Sequence, residues 1–502
     1  MNTKFVKNAS WIIGGKLARS LIGFVVSIFT AKMLGPTNFG VLGYITSVTT
    51  ILTSFCTLGL DNIIVKELIQ KKDEGTIIGT AITLELISSF ISYGVAMAVI
   101  ILSNTQDKIF WICGALQGAS LLLTAFDNID YWYQSKFQSK TSTIISLIGY
   151  LVLQAYKVIL LIFGKSVAYF AFANTLDFLV IAVLYCVSYA LKKGARWKFS
   201  FETAKILLRQ SWVFILSGFM TAAYNSIDKI MLKEMLNDTA YTGYYDVAYS
   251  VSNVWVFVLV AIKVSFNPLI YQAYGDENNP ELFRIRTRQL YFITFWLSFS
   301  ASVCIDVIAP FFIRFSYGEA YLPAIIPTMI LVWNLVFAHL GTVTIVHLTC
   351  MHQQKYIIGF TFLTLITNVC MNAILIPRFN IIGATVATVC SQFFVSMIAP
   401  LFFRKTRYIP LDILRAVVFR GIEFPALRKE LKEKIFRRSR RKKELLSEET
   451  AQGKSEYVDT EKCEENFEGK IEENIENKIE RDSEENSVEK VEKNGNGTSL
   501  KK

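Results

Sequence analysis

The groups in this chain most able to do chemistry are ionisable side chains set within long apolar runs. A charge at such a position costs about 3 kcal/mol or more unless it faces water or a partner, so it marks a ligand path, an ion relay or a buried pair. Lys16 and Arg19 stand three residues apart, hence on one helix face, and Gly23 and Ser27 continue that face. Functionally this is a cationic lining for an anionic ligand. Structurally it is a pair of snorkelling side chains, since Lys16 lies only about 9 Å into its helix and can reach the nearer interface. Lys157, Lys229 and Lys263 are further cations of the same kind, and Asp228 directly precedes Lys229. Residues i and i+1 point to different faces, so each of these two must find its partner on a ligand or on another helix.

The acidic set is Asp61, Glu85, Asp127, Asp130, Asp177, Asp228 and Asp306. Glu85 and Asp177 lie deepest in their runs and cost most to bury. Asp127 and Asp130 share a face, with Tyr131 and Tyr133 close by. One reading makes Glu85, Asp127, Asp130, Asp177 and Asp228 proton or sodium sites that couple transport to an ion gradient. The other, favoured for any single residue, is structural pairing with Lys16, Arg19, Lys157 or Lys263. His339 and His347 are eight residues apart, two turns, which is too far for one metal ion; interhelical hydrogen bonding or packing is the expected role. Seven of the eight cysteines fall in or beside apolar runs, with no CxxC pair, and read as packing residues. No nucleotide loop, nucleophile–base grouping or metal motif occurs, so no cofactor or metal is expected, and an ATP-driven pump and an enzyme are both disfavoured.

These residues must be held by membrane-spanning helices. The chain has 502 residues, 52% of them hydrophobic, and the apolar blocks reach the roughly 20 residues needed to cross a core of about 30 Å. Lipid offers the backbone no hydrogen-bond partners, so the blocks read as helices. Spans are expected at 10–34, 39–62, 76–102, 109–133, 142–163 and 167–191, then at 211–236, 242–270, 289–315, 322–349, 356–376 and 381–403. Breakers at Gly35-Pro36 and Asn380 separate neighbouring spans. The first span is too long for a signal-peptide core and lacks a small-residue cleavage site. The expected organisation is an N-terminal six-helix lobe over 1–191, a linker over 192–210 and a C-terminal six-helix lobe over 211–404. A weak internal repeat accompanies it: Lys32-Met33-Leu34-Gly35-Pro36-Thr37-Asn38-Phe39-Gly40 is echoed by Glu234-Met235-Leu236-Asn237-Asp238-Thr239-Ala240-Tyr241-Thr242-Gly243. Six spans per half would make these parallel repeats about an axis along the membrane normal.

The net charge of +11 is not a nucleic-acid signal, because the cations sit in short loops and in one run after the last span. Alternate loops carry Lys66, Lys71 and Lys72; Lys136 and Lys140; Lys192, Lys193, Arg196 and Lys198; Arg284, Arg286 and Arg288. The positive-inside rule therefore puts both termini in the cytoplasm, in agreement with an even number of spans. The opposite loops are very short and leave little room for an extracytoplasmic catalytic site. Residues 405–443 form a basic juxtamembrane segment ending in Arg437-Arg438-Ser439-Arg440-Arg441-Lys442-Lys443, either lying on anionic headgroups of membrane lipids or serving as a solvated stop-transfer flank. Residues 444–502, rich in Glu, Lys, Asn and Ser, read as a disordered charged tail.

Ala31-Lys32-Met33-Leu34-Gly35-Pro36-Thr37-Asn38-Phe39-Gly40 followed by Leu58-Gly59-Leu60-Asp61 resembles the opening of the Wzx-type polysaccharide-biosynthesis flippases of the multidrug/oligosaccharidyl-lipid/polysaccharide exporter superfamily. The resemblance continues at Asp228-Lys229-Ile230-Met231-Leu232, Gly243-Tyr244-Tyr245, Ala248-Tyr249 and Gly318-Glu319-Ala320-Tyr321-Leu322-Pro323-Ala324. It is clearest from Asn372-Ala373-Ile374-Leu375-Ile376-Pro377 through Arg378-Phe379-Asn380-Ile381-Ile382-Gly383 to Ala384-Thr385-Val386-Ala387-Thr388. It implies an all-α polytopic membrane protein, MATE-like, with about twelve transmembrane helices in two six-helix lobes around a central cavity that opens alternately to either side. The implied cargo is an undecaprenyl-diphosphate-linked oligosaccharide, with ion-coupled antiport as a drive and polysaccharide polymerase machinery as a candidate partner. No fixed set of site residues carries over from the family. A peptidoglycan-precursor flippase and a multidrug/cation antiporter on the same fold are the nearest alternatives. A membrane glycosyltransferase or ligase and a scaffold acting through the tail are the more distant ones.

Overall fold

Two helices show which solvent this chain was built for. Glu85, Ser89 and Ser92 lie on one helix face and are buried, whereas Ile87, Phe90 and Ile91 on the opposite faces are exposed. Thr294, Ser298 and Ser302 are likewise fully buried, while Val303, Val307, Phe311 and Phe315 face outward. Apolar surfaces turned out and hydroxyls turned in are what hydrocarbon requires, because only the interior can satisfy polar groups there.

The computed structural model describes residues 3–70, 73–104, 107–275 and 280–418. Lys71, Lys72, the basic run through 419–443 and the tail 444–502 lie outside the described residues, as do the side chains of Lys16 and Lys263. Helices run in the order α1 (Thr3–Cys56), α2 (Asp61–Gln70), α3 (Glu74–Ser103), α4 (Lys108–Gly118), α5 (Ser120–Leu123), α6 (Asn128–Ser135), α7 (Ser139–Ile162), α8 (Val167–Leu191), α9 (Phe201–Leu236), α10 (Ala240–Ser252), α11 (Val256–Tyr274), α12 (Pro280–Ser316), α13 (Ile325–Leu331), α14 (Asn334–Cys350), α15 (Gln354–Phe393) and α16 (Ile409–Val417). No strand occurs among the described residues.

Nine helical stretches among the described residues are long and apolar enough to cross a bilayer. Two of them contain the expected breaks. α1 turns at Gly35, which takes φ 72°, and α15 at Asn380, with φ 52°. The eighth expected span, 242–270, is divided between α10 and α11. α9 begins at Phe201, well ahead of the expected 211, because Ser200 caps the Thr203 amide and starts the helix inside the expected linker.

The two echoed segments meet each other. Gly35 and Asn237 follow Met-Leu in each copy, and both adopt positive φ, 72° and 52°. Five residues beyond Gly35, a Cβ on Gly40 would strike the Thr239 carbonyl. In the other copy a Cβ on Gly243 would strike the Pro36 carbonyl. The contact is reciprocal, as expected where a pseudo-twofold axis passes between repeats, and it brings the backbones of α1 and α10 together. Around it, Tyr44 donates to Glu234 (2.7 Å), Lys233 to the Ser103 carbonyl (3.1 Å) and Tyr321 to the Ala31 carbonyl (2.8 Å).

Beyond the last span, α16 buries Ile409, Ile413 and Ala416 and leaves Leu411, Leu414 and Val418 exposed. Asp412 accepts from both Arg284 (3.0 Å) and Arg288 (2.6 Å) of α12. Burial alone would push its carboxyl up, but these two guanidinium bonds outweigh burial and hold it below the usual carboxylate range.

Two predictions follow from this packing. Gly243→Val forces the repeat contact apart and destabilises the protein by about 1–3 kcal/mol, read as a lowered Tm of the purified chain. The Asp412 carboxyl is depressed on folding, so its contribution is complete above the unfolded value near about 4 and is lost as pH falls through the folded value. Acidification through that range loosens α16, and Asp412→Asn removes the pH dependence, measured by a fluorophore attached at position 411.

Candidate functional site

A cavity of about 200 Å³ lies where the first-half helices α1, α4, α7 and α8 meet α9 and α10. Gly23 and Ser27 line it, the same two residues that continue the Lys16/Arg19 face, and Lys157 of α7 and Lys229 of α9 enter it from either half of the chain. Lys229 is held by Asp246 of α10 at 2.5 Å; Gly43 leaves the room that this carboxylate fills. Lys157 makes no hydrogen bond or ion pair among the described residues. Gln117 donates to Thr46 (2.7 Å), while its buried amide oxygen has no partner. The lining thus carries two cations, one carboxylate and several neutral hydrogen-bonding groups.

Arg19 does not line this cavity. It sits one turn earlier, 3.9 Å from Asp177 and with its guanidinium 4.7 Å from the centre of the Tyr150 ring. Tyr150 donates to the Arg19 carbonyl (2.6 Å), and Gly23 leaves space for that hydroxyl. Lys16 and Lys263 stand on described helices, but their side chains are outside the described residues.

The acidic candidates divide into two groups. In the first half, Asn128 donates to Glu85 (2.6 Å), and Gln134 (2.9 Å) and Ser142 both donate to Asp130. Asp127 has no hydrogen bond or ion pair among the described residues. In the second half, Asp228 is fully enclosed by neutral donors: Tyr245 at 2.5 Å, Asn372 at 2.5 Å and Thr388 at 2.8 Å. Asn372 and Thr388 come from either side of the Asn380 break, so three separate helical segments converge on one carboxylate. Asp228 and Lys229 do take different faces, as adjacent helical positions must.

The two histidines serve different helix contacts. His347 shares a 2.7 Å hydrogen bond with Tyr408 and stacks on Phe283, whereas His339 faces Ser298 and Trp255. No group of three or more His, Cys, Asp or Glu suited to a metal occurs among the described residues.

Asp246, Tyr150, Gln117 and Tyr245 are site residues that sequence reasoning misses. Asp246 obeys the same rule as the ionisable groups singled out above, but its closeness to the start of the expected span 242–270 hides it. Asn372 and Thr388 stand at the two ends of the longest motif, where nothing local links them to Asp228.

The arrangement is that of a multi-pass membrane protein with a polar cavity between its two halves. Its fold is shared with an inward-facing multidrug resistance MATE family transporter of the MOP superfamily, with TM-score 0.62, 14% identity, and coverage of 79% of this chain and 95% of that one. A MOP superfamily transporter from Pyrococcus furiosus, described by a binding pocket of reverse polarity that suggests a different function, aligns with TM-score 0.57 and 14% identity over 82% of this chain and 96% of that one. Residues 5–274 match the polysaccharide biosynthesis protein family, and the chain belongs to that family. The fold is one that solved membrane transporters adopt. No curated protein matches the sequence.

The Lys229–Asp246 pair generates a prediction. Lys229→Met leaves a mostly buried carboxylate unpaired and costs about 3 kcal/mol. The double variant with Asp246→Leu regains most of that, and thermal unfolding of the four proteins in a double-mutant cycle measures the coupling.

Proposed function

We propose that this protein is a flippase that moves undecaprenyl-diphosphate-linked oligosaccharide units from the cytoplasmic to the outer leaflet for surface polysaccharide biosynthesis. The observation that carries the reading is Lys157, a cation that makes no hydrogen bond or close ion pair among the described residues and feels the Asp177 carboxylate only at longer range, beside Lys229 in a cavity between the two halves. An ammonium in that position costs free energy when the cavity is empty and regains it when an anion arrives. A diphosphate is bulky enough and charged enough to engage both lysines, Lys229 exchanging part of its bond to Asp246 for the cargo. Membership of the polysaccharide biosynthesis family supports the cargo class.

Alternating access would separate the halves at the repeat contact and close them elsewhere, with both termini in the cytoplasm and the polymerase machinery receiving the product. An ion gradient is the natural drive in the absence of a nucleotide motif. Asp228 is the carboxylate best suited to take the ion, because its three neutral donors stabilise charge without cancelling it; Glu85, Asp127, Asp130 and Asp177 are the first-half candidates. Asp127, which makes no hydrogen bond or close ion pair among the described residues and lies near Asp130 and Asp177, favours one second reading, a multidrug/cation antiporter whose cargo would meet carboxylates rather than lysines. A peptidoglycan-precursor flippase shares the diphosphate chemistry and differs in the sugar.

The test uses proteoliposomes holding a fluorescent lipid-diphosphate oligosaccharide, with an external sugar-binding probe and an imposed ion gradient. The intact protein should speed exposure of the sugar, and Lys157→Gln should slow it about 10- to 100-fold, the equivalent of one charge-assisted hydrogen bond. An unchanged rate for Lys157→Gln sinks the cationic-cavity mechanism. Efflux of an organic cation without sugar exposure replaces the flippase with the antiporter.

A further inference from the structure

A second cavity, of about 330 Å³, lies wholly in the second half of the chain, among α9, α14, α15 and the π-helical turn that follows α15. Its size falls at the lower end of the range for small-molecule sites, about 300–1,000 Å³. Its chemistry is unlike that of the first cavity. Among the described residues no charged side chain lines it; its polar groups are neutral hydroxyls and carboxamides set between apolar walls such as Ile357 and Phe360.

The hydrogen-bonding capacity of these groups is partly spent and partly open. Thr221, Thr342, Thr361 and Thr364 each donate to a carbonyl one turn earlier in their own helix, at 2.8–3.0 Å. Their oxygens therefore face the cavity as acceptors only. Gln392 accepts from Tyr224 (2.9 Å), which turns its amide toward donation, and its contact with Ser396 is long at 3.5 Å. Asn225 lines the cavity and has no hydrogen bond among the described residues. Acceptors and donors are thus interleaved, without charge, beside an apolar wall. A sugar has the matching surface, since each hydroxyl both donates and accepts and the ring C–H faces are apolar.

One helix joins the two cavities. Thr221, Asn225 and Lys229 recur at four-residue spacing on one face of α9; the first two line the second cavity and Lys229 lines the first. Asn225 and Lys229 are about 6 Å apart along the axis. That spacing suits a diphosphate at the lysine followed directly by the first sugar. We infer that the second cavity is the glycan subsite of the cargo, reading the neutral sugar next to a diphosphate held at Lys157 and Lys229. This rests on the flippase reading and adds to it where the sugar is recognised.

The experiment measures Kd of the full-length protein in nanodiscs for two probes, a short-chain prenyl diphosphate carrying a disaccharide and the same prenyl diphosphate without sugar. Asn225→Leu and the isosteric Thr361→Val should each weaken the sugar-bearing probe about tenfold, one hydrogen bond's worth, and leave the sugarless probe unchanged. The unchanged sugarless Kd doubles as the folding control, and Thr361→Val carries the test if Asn225→Leu does not fold. Lys157→Gln should weaken both probes alike. If both cavity variants leave the preference for the sugar-bearing probe intact while Lys157→Gln still acts, the second cavity holds only water and the glycan subsite is wrong, with the flippase reading standing. If Lys157→Gln affects neither probe, the flippase reading falls and the subsite falls with it.

Discussion

Hydrocarbon supplies neither counterions nor hydrogen bonds, so each ionisable side chain within the spans must be completed by protein or left facing an aqueous cavity. Much of the tertiary arrangement follows from how these completions are made. Asp177 reaches Arg19, Glu85 takes the Asn128 amide, and Asp228 gathers Tyr245, Asn372 and Thr388 from three helical segments. Each completion ties together helices that are distant in sequence, and together they fix which faces turn inward. Lys157 departs from this pattern, with no hydrogen bond or close ion pair among the described residues, and the proposed ligand site rests on that departure.

A carrier must also keep a cavity closed on one side without making that closure permanent. On the proposed carrier reading, the reciprocal contact of Gly40 with Thr239 and Gly243 with Pro36 would meet this need through small residues. Backbones that touch over glycine gain close van der Waals contact yet interlock no large side chains, so the surfaces can part without repacking a core. The bonds beside it, Tyr44 to Glu234 and Tyr321 to the Ala31 carbonyl, are single hydrogen bonds of modest net strength, each of the order of 1 kcal/mol. Contacts of this kind hold one state in preference to another by a few kcal/mol, which is the scale on which cargo or an ion can act.

Several features are legible in the chain without coordinates because their causes are local. The breaks at Gly35 and Asn380 follow from residues that tolerate positive φ, and the separation of His339 from His347 follows from helical rise. The Met-Leu-Gly and Met-Leu-Asn echo foretells two like turns, since the same short motif meets the same backbone demand. The common face of Arg19, Gly23 and Ser27 is likewise a matter of period. The depth of α9, by contrast, escapes a hydropathy reading: residues 201–210 are too polar to count as span, yet the Ser200 cap makes them helix.

What the sequence by itself determined is therefore the class of solvent, the apolar helical character with the breaks at Gly35 and Asn380, the list of costly charges and the family, all set by hydropathy, period and motif along the chain. What only the tertiary structure decided is partnership. Nothing local says that Lys229 pairs with Asp246 while Lys157 makes no hydrogen bond or close ion pair among the described residues, that Arg19 turns to Asp177 and Tyr150 away from the cavity, or that Thr388 closes on Asp228. Those outcomes depend on how helices rotate and cross, and a rotation of one helical position, about 100°, carries a charge from a neighbour's face to an open cavity.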